Sequence, residues 1–406
     1  MRNRRMILFA ILYAIAFIIN NQVNAQVGRV HGQVCDGATG EGLANVAVFI
    51  PYTSVGVITD ANGNFVLPRI RAGQYNLEIR HLSFEPQKLL VVVENNKDLR
   101  LHVLLDVKKV ELDEVIKSVE LADWDYGFKL FQEFFLGDPK SRQCRISNPE
   151  DLIFYYEGDA LVGVAKKPLK ISNRYLGYEL IYYLDYFKYL SDTGDDIFNR
   201  LGDQYAFEGV ALFTSRESKS WFRTTNWRLN REKEYQGSLR HFLASLYTNT
   251  IAQEGFRTMK AWQGYDDIQY TQQLSSSMLR IKTINIDSIY TWDSRMKSSR
   301  FLYYFATESY PLDEKIDSAA HGSKLFSMPD TIFVFHDQKD TPTRADDLIA
   351  TLSLSSGRVE FNRDGTIQNQ KGQIFWKHHD NRTRIIRMVP RDFVREEKVR
   401  ELARQL

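Results

Sequence analysis

Residues 28–84 read GRVHGQVCDGATGEGLANVAVFIPYTSVGVITDANGNFVLPRIRAGQYNLEIRHLSF. Short runs of alternating apolar and polar residues are separated by Gly, Asn, Asp and Pro, a spacing typical of an all-β sandwich. The alternation continues to Leu105. It predicts about seven strands, at 29–34, 44–51, 56–60, 64–67, 74–82, 88–94 and 99–105. Seven short strands are enough for two sheets packed face to face.

The acidic segment Asp60–Ala61–Asn62–Gly63 separates two β-branched runs. Asn and Gly tolerate the positive φ of a tight turn, so the segment predicts a hairpin turn. A calcium site is the alternative interpretation, but the further ligands and the closing Glu of an EF-hand-like loop are missing. Hairpin chemistry is therefore favoured.

The same stretch resembles the carboxypeptidase-D regulatory-like family. That family's pattern runs G-x-V-x-D-x-x-T-G-E-P-L-x-x-V-x-V, then T-D-x-x-G-x-F, then G-x-Y-x-L-x-I. The matching residues here are Gly32, Asp36, Thr39-Gly40-Glu41, Leu43, Val46, Val48, Thr59-Asp60, Gly63, Phe65, Gly73, Tyr75, Leu77 and Ile79. Gly42 stands where the family usually has Pro. The resemblance implies a transthyretin-like sandwich at residues 26–105, of a kind common at the front of Bacteroidota envelope proteins.

In metallocarboxypeptidases this module is an accessory to the catalytic domain and carries no zinc ligands. None of the eight histidines of this chain begins an H-x-x-E motif, so the zinc pair of the enzyme is absent. The resemblance therefore implies an accessory module and gives no reason to expect a metal or another cofactor.

Residues 1–25 have the pattern of a secretory signal peptide. Arg2, Arg4 and Arg5 precede the apolar run MILFAILYAIAFII, and Val23-Asn24-Ala25 resembles a cleavage site. The run is shorter than the roughly 20 residues of a membrane-spanning helix, although an uncleaved signal anchor is the alternative. We expect export to the periplasm, the outer membrane or the cell surface.

Cleavage after Ala25 would leave 50 basic and 51 acidic residues. A nearly neutral surface argues against nucleic acid as a partner, because such partners favour a basic stripe. Cys35 and Cys144 are too few for a disulfide scaffold, and whether they pair with each other is open from the sequence.

Residues 106–120, DVKKVELDEVIKSVE, are charged and predict a linker. Leu112-Asp113-Glu114-Val115 resembles the segment that joins this module to TonB-dependent outer-membrane receptors. The 286 residues that follow the linker are too few for a plug and a 22-stranded barrel.

Residues 121–406 are predicted to form an α+β domain of mainly antiparallel strands. WDYGFKLFQEFFLG at 124–137 indicates an amphipathic helix that ends at Gly137 and Pro139. Strands are predicted at 152–156, 160–164, 169–172, 178–190, 278–286, 300–305, 331–336, 350–354, 358–361 and 373–376, and a turn at 362–365.

The strand at 178–190 is aromatic on both predicted faces. Tyr178, Tyr182 and Tyr186 lie on one face, and Tyr183, Phe187 and Tyr189 lie on the other. Such a strand belongs to a layered core or to a membrane barrel. The layered core is favoured, because later segments lack the evenly repeated strands of a barrel.

A second helix is predicted over 230–250. Its apolar stripe comprises Tyr235, Leu239, Phe242, Leu243 and Leu246, and Arg231, Glu232 and Arg240 are predicted to lie outside it.

Several stretches resemble a region that recurs behind the regulatory-like module in Bacteroidota proteins and to which we attach no activity. They are the helix ending in F-L-G, Cys144-Arg145-Ile146 with Asn148-Pro149, PLKISNRYLGYELIYYL at 168–184, Tyr235-Gln236-Gly237-Ser238 with Arg240-His241-Phe242, and the V-P-R-D-F motif at 389–393.

Ser238 and His241 are the weak candidates for catalysis. Three residues apart on a helix, they would share a face as nucleophile and base, with Tyr235 and Arg240 nearby. No nucleophile elbow or orienting acid accompanies them, so a structural role is favoured.

Two further motifs have ordinary explanations. Ser294-Arg295-Met296-Lys297 fits S-x-x-K without its companion motifs. His378-His379-Asp380 contains metal-binding residue types, but neighbours on a strand face opposite ways. No nucleotide-binding motif is present.

Aromatic residues make up 13% of the chain and would either fill the core or line a groove for glycan or peptide. Their periodicity favours the core. The sequence as a whole favours an exported, non-catalytic envelope protein that binds or assembles with other envelope proteins or extracellular polymers. The alternatives are a periplasmic or cell-surface hydrolase acting on peptide or glycan, and a small outer-membrane barrel or receptor-related component.

Overall fold

The computed structural model describes eleven stretches of the chain and one further residue. They are residues 27–108, 119–137, 143–190, 204–265, 284–285, 301–319, 322–336, 348–354, 357–367, 374–378, 384–393 and Arg395.

Eight strands form the N-terminal sandwich. They are β1 (Val27–Asp36), β2 (Ala47–Phe49), β3 (Gly56–Ile58), β4 (Asn64–Val66), β5 (Ile70–Arg71), β6 (Gly73–Arg80), β7 (Gln87–Val93) and β8 (Asp98–Leu105). One sheet places β4 and β5 antiparallel to β1 and β8 parallel to it, and the other runs β3-β2-β6-β7. Inward-facing residues such as Val34, Val48 and Leu77 form the core between the sheets. The predicted sandwich is confirmed, and β5 is an additional short strand.

The turn at Asp60–Gly63 has the predicted glycine geometry, since φ of Gly63 is 77°. The Asp60 carboxylate accepts hydrogen bonds from the backbone N–H groups of Asn62 and Asn64, at 2.9 and 2.8 Å. The hairpin prediction was wrong in one respect, because β3 and β4 lie in different sheets. The turn carries the chain from one layer of the sandwich to the other.

The second region begins with a helix against a six-stranded antiparallel sheet. Helix α1 (Trp124–Phe131) continues into a π-helical turn, Gln132–Leu136, and ends at Gly137, whose φ is 77°. The strands are β9 (Cys144–Ile146), β10 (Leu152–Glu157), β11 (Ala160–Ala165), β12 (Leu169–Asn173), β13 (Tyr178–Leu190) and β14 (Gln204–Ser215). Phe131 and Phe135 pack on Phe187 and Tyr182, respectively, with ring centroids about 5 Å apart. The predicted helix and the four predicted strands at 152–156, 160–164, 169–172 and 178–190 are confirmed, and β9 and β14 are additional strands.

Strand β13 does not divide its aromatic residues as the sequence predicted. A bulge between Leu184 and Tyr186 shifts its register against β14. An extra residue in a strand inverts the alternation beyond it. Phe187 and Tyr189 therefore join Tyr178 on the face that packs against α1.

The predicted helix over 230–250 is two helices. Helix α2 (Trp221–Tyr235) starts nine residues earlier than expected, and helix α3 (Leu239–Thr248) follows a break. At the break Gly237 has a φ of 71°, outside the helical range. The single-helix prediction was wrong because Gly237 and the capping residue Ser238 end one helix and start another.

Helix α3 packs on a second six-stranded antiparallel sheet and a small three-stranded one. Their strands are β15 (Phe256–Tyr265), β16 (Ile284–Asn285), β17 (Phe301–Ser309), β18 (Ile316–Ser318), β19 (Lys324–Ser327), β20 (Thr331–His336), β21 (Leu348–Leu354), β22 (Arg358–Phe361) and β23 (Ile374–His378). Phe242, Leu243 and Leu246 contribute the helical side of this core. The predicted turn is confirmed, since Gly365 donates to the Asn362 carbonyl. The α+β class is confirmed as well.

The sandwich and the second region share an interface. The backbone N–H of Tyr52 donates to the Ala211 carbonyl, and that of Phe213 donates to the Thr53 carbonyl, at 2.7 and 2.9 Å. These bonds lie along the outer side of β14, an edge strand whose other side pairs with β13. The sandwich thus covers part of an edge that would otherwise expose unpaired backbone groups.

Side chains extend this interface. Arg80 of β6 donates to Asp185 of β13 at 2.7 Å, and Ala47 and Phe49 of β2 pack with Val210 of β14. The sandwich, the β9–β14 sheet and α1 therefore form successive layers. This arrangement is the layered core that β13 was predicted to occupy.

Several predicted features lie outside the described residues. They are the signal peptide, most of the linker at 106–120, Ser294–Lys297, most of the strand at 278–286, and His379 and Asp380. Cys35 and Cys144 are both buried and free, so they do not pair. Where the structure is described, no helix combines the length and apolarity that crossing a membrane requires.

Candidate functional site

The candidate site lies at the break between α2 and α3. Ser238 is the N-cap of α3, and its hydroxyl oxygen accepts a hydrogen bond from the backbone N–H of His241 at 3.1 Å. This bond satisfies one of the free N–H groups at the start of a helix. The hydroxyl group therefore serves the backbone of the helix.

His241 is only 2% exposed. Its Nδ1 accepts from the backbone N–H of Gly237 at 3.1 Å, which places the ring proton on Nε2. Nε2 then donates to the Glu254 carboxylate, also at 3.1 Å. Burial lowers the pKa of His241 from its ordinary value of 6.5, and Arg395 lowers it further, against the opposing effect of the Glu254 hydrogen bond. The ring is neutral and both of its nitrogens are occupied.

The structure brings Ser238 and His241 together at the start of a helix. The lone pair of His241 Nδ1 is already engaged by the backbone N–H of Gly237, and the Ser238 hydroxyl oxygen contacts the backbone N–H of His241. A general base must reach the proton that it removes. In this geometry the ring has no free acceptor for the proton of Ser238.

A partly buried charge network surrounds the histidine. Arg395 binds the Glu232 carboxylate through Nε and Nη2, at 2.9 and 2.6 Å, and donates to Glu254 through Nη1 at 3.1 Å. The side chain of Glu232 is completely buried, whereas the sequence placed Glu232 outside the apolar stripe. That prediction was wrong because Glu232 precedes Tyr235 by three residues and so shares its helix face.

Arg240 was also predicted to lie outside the stripe, but it links three segments of the chain. Its guanidinium group donates to the carbonyl oxygens of Asp364, Pro390 and Phe393, at 3.1, 2.7 and 3.0 Å. The guanidinium carbon also lies 5.3 Å from the centre of the Tyr235 ring. Arg240 thereby fastens the V-P-R-D-F segment and the 362–365 turn to α3.

Sequence reasoning identified Ser238 and His241 but missed Glu254 and Arg395. Arg395 follows the recognised V-P-R-D-F segment by two residues in a charged stretch that gave no sign of burial. Glu254 lies in the turn between α3 and β15 and has no pattern of its own. The signal for Glu232 was present in the helical spacing.

The V-P-R-D-F segment also reaches the sandwich. The backbone N–H of Arg391 donates to the Tyr52 carbonyl at 2.7 Å, and Asp392 accepts from the backbone N–H and the hydroxyl of Ser54. The same five residues therefore contact α3 through Arg240 and the sandwich through Tyr52 and Ser54. This segment joins three parts of the fold.

Among the described residues, no group of three or more His, Cys, Asp or Glu side chains is placed to hold a metal ion. His378 ends β23, and its two predicted partners lie outside the described part. Many aromatic residues of the described part of the chain lie in the core. The largest fully buried side chains are Tyr182, Phe49, Phe131, Phe135, Phe154, Phe187, Phe213, Phe242, Phe256, Phe326, Phe333 and Phe335.

Comparison with known proteins gives one family match. Residues 30–116 match the model of the CarboxypepD_reg-like domain. The match covers the sandwich and extends into the segment predicted as a linker. No curated protein is significantly similar to the chain.

Similar solved structures align over parts of the chain. A mutant type II cohesin–X-dockerin complex from Acetivibrio cellulolyticus shows 20% identity and a TM-score of 0.18, over 21% of this chain and 62% of that chain. A putative carbohydrate binding protein from Bacteroides uniformis shows 11% identity and a TM-score of 0.17, over 46% and 78%. A DUF3823 family protein from Parabacteroides merdae shows 14% identity and a TM-score of 0.16, over 47% and 82%. The chain thus spans less than two thirds of the first of these.

Proposed function

We propose that this chain is an exported, non-catalytic protein of the cell envelope with a binding or assembly role. The sandwich acts as an accessory module docked on the α+β region. Its partners are other envelope proteins or extracellular polymers such as glycan or peptide, and it associates peripherally with the outer membrane.

One observation carries the non-catalytic part of the proposal. Both ring nitrogens of His241 are committed to Gly237 and Glu254, and the Ser238 hydroxyl accepts from the backbone. A nucleophile–base pair needs a direct hydrogen bond between hydroxyl and imidazole. The polar groups of the most enzyme-like cluster instead fix the start of α3 and the position of Arg395.

The docked sandwich supports the accessory role. Its contact with the second region includes backbone hydrogen bonds, a part-buried ion pair and packed aromatic rings. Relative motion is the default for two modules unless their interface opposes it, and the backbone bonds and apolar packing found here favour one orientation. A ligand or partner would therefore meet one composite surface.

The test compares the mature chain with its Ser238→Asn variant. Asn caps a helix about as well as Ser but has no hydroxyl nucleophile. Both proteins, immobilised and exposed to envelope extract, are expected to capture the same partners and to leave peptide and glycan substrates uncleaved. Hydrolysis by the wild-type chain that the variant lacks would overturn the proposal.

Location is tested separately. Cell fractionation is expected to recover the protein from the envelope, with a mature N-terminus at Gln26. Recovery from the cytoplasm with residues 1–25 intact would contradict export.

A further inference from the structure

Helix α2 uses two of its tryptophans in opposite ways. Trp227 is 7% exposed, and its indole N–H donates to the Arg174 carbonyl at 2.9 Å. Trp221, at the start of the same helix, is 77% exposed, and the adjacent Phe222 is 67% exposed. Packing against the β9–β14 sheet therefore buries Trp227, whereas the rings of Trp221 and Phe222 lie in water.

These two rings are the most exposed of the large apolar side chains in the described part of the molecule. Neighbouring residues on a helix point about 100° apart, so two exposed rings in sequence form a protrusion. A protrusion suits insertion into a soft surface better than it suits a stacking groove for a sugar. Trp and other amphipathic rings favour the boundary between lipid headgroups and acyl chains.

The charge around the rings is positive. Residues 216–228 contain four basic residues, of which Arg216 is paired with Glu179, and a single acidic one, Glu217. Lys219, Arg223 and Arg228 are exposed, and Arg228 lies two helical turns from Trp221 on the same side of α2. The mature chain as a whole is nearly neutral, so this concentration of positive charge is local.

We infer that Trp221 and Phe222, flanked by Lys219 and Arg223, dock the protein on an anionic phospholipid surface. The two rings enter the interface, and the basic side chains contact the phosphates. Aromatic rings that enter the membrane interface, with basic residues beside them, are the usual elements of reversible interfacial binding. The inference deepens the peripheral membrane association in the proposed function and rests on it.

The experiment uses the purified mature chain and co-sedimentation with lipid vesicles. Binding is expected to vesicles of phosphatidylcholine with phosphatidylglycerol, to be weak with phosphatidylcholine alone, and to fall as salt is raised. The double variant Trp221→Ser, Phe222→Ser should bind roughly tenfold or more weakly. Lys219→Ser with Arg223→Ser should weaken binding chiefly at low salt.

Leu90→Ser is the matched control. Leu90 is 59% exposed on β7 of the sandwich, so its replacement removes an exposed apolar group elsewhere on the molecule. It is expected to leave vesicle binding unchanged. All variants should keep the wild-type circular dichroism spectrum, since the replaced side chains lie in solvent.

Three results would overturn the inference. They are no binding of the wild-type chain to anionic vesicles, equal binding by the Trp221/Phe222 double variant, and a double variant that only abolishes self-association in sedimentation velocity. The last result would identify the rings as a contact between copies of the chain. Because vesicle binding uses purified protein, its failure is distinct from a failure of the fractionation test of export.

Discussion

Phe49 of the sandwich stacks on Tyr183 of the second region, with ring centroids 5.4 Å apart and ring planes inclined by 18°. Phe49 is completely buried, although it lies on the face of β2 opposite the sandwich core. Stacked aromatic pairs contribute beyond the area they bury. The stack, the Arg80–Asp185 ion pair and the backbone bonds of Tyr52 to Ala211 and of Thr53 to Phe213 hold the two regions together.

Arg80→Ala is expected to destabilise the protein by about 3 kcal/mol, because removing one partner leaves a buried charge with too little compensation. The Glu78 side chain is only 3% exposed and lies 3.0 Å from Arg80. Urea unfolding measures the change. The control is Lys97→Ala, which breaks an exposed pair with Glu94 and should cost less than about 1 kcal/mol. Equal losses would show that the buried position of Glu78 has no special cost.

Ser238→Ala should lower the free energy of unfolding by about 1 kcal/mol, the usual cost of losing an N-cap. Ser238→Asn should change it by only a few tenths, since Asn retains an acceptor for the His241 backbone N–H. Thermal unfolding of both variants provides the comparison. A large loss with both would mean that the hydroxyl has a role beyond capping.

Stability should fall as the pH drops below about 6.5. In the folded protein burial lowers the pKa of His241, and its Nδ1 accepts a hydrogen bond from Gly237; in the unfolded chain the ring titrates near its ordinary value of 6.5. Between the folded pKa and 6.5 the unfolded state binds more protons, so acid favours unfolding. Urea midpoints measured from pH 7.5 downward should show this slope.

His241→Gln should remove part of that pH dependence. His81→Gln is the companion variant and should remove another part of the pH dependence, because burial and Lys108 also lower the pKa of His81. If the slope of the His241 variant matches that of the wild type, the acid sensitivity originates elsewhere.

Gly177→Ala should be severely destabilising, by more than about 3 kcal/mol. Gly177 has a φ of 71°, and a Cβ there would lie 2.2 Å from the Trp227 ring. The left-handed backbone alone costs about 1–2 kcal/mol for a residue with a Cβ, and the clash adds to it. Gly158→Ala is the control, since its φ of 60° is similar but nothing lies within 4 Å of its Cβ. Similar losses in chemical denaturation would discount the contact with Trp227.

The strands of the sandwich could be predicted because each buries one face, and the alternation of residues such as Val46 and Val48 records that burial. The turn at Gly63 could be predicted from its residue types. The pairing of the two strands that flank this turn could not be predicted, because a local pattern does not say which sheet a strand joins.

Two features of the second region could not be predicted from sequence patterns. The bulge in β13 inverts the faces of Phe187 and Tyr189 without a sequence signal. The network around His241 depends on Glu254 and Arg395, which lie 13 and 154 residues away along the chain. Only tertiary packing brings those charges together, so spacing identified the histidine but could not identify its partners.

The backbone hydrogen bonds of Tyr52 and Thr53 to β14 limit which sandwich domains could replace this one. A homologous sandwich grafted in place of this one would have to present a backbone N–H and a backbone carbonyl at the same positions. Otherwise the edge of the neighbouring sheet would be exposed and could pair with other chains. This sandwich and this second region are thus expected to be inherited together rather than exchanged independently.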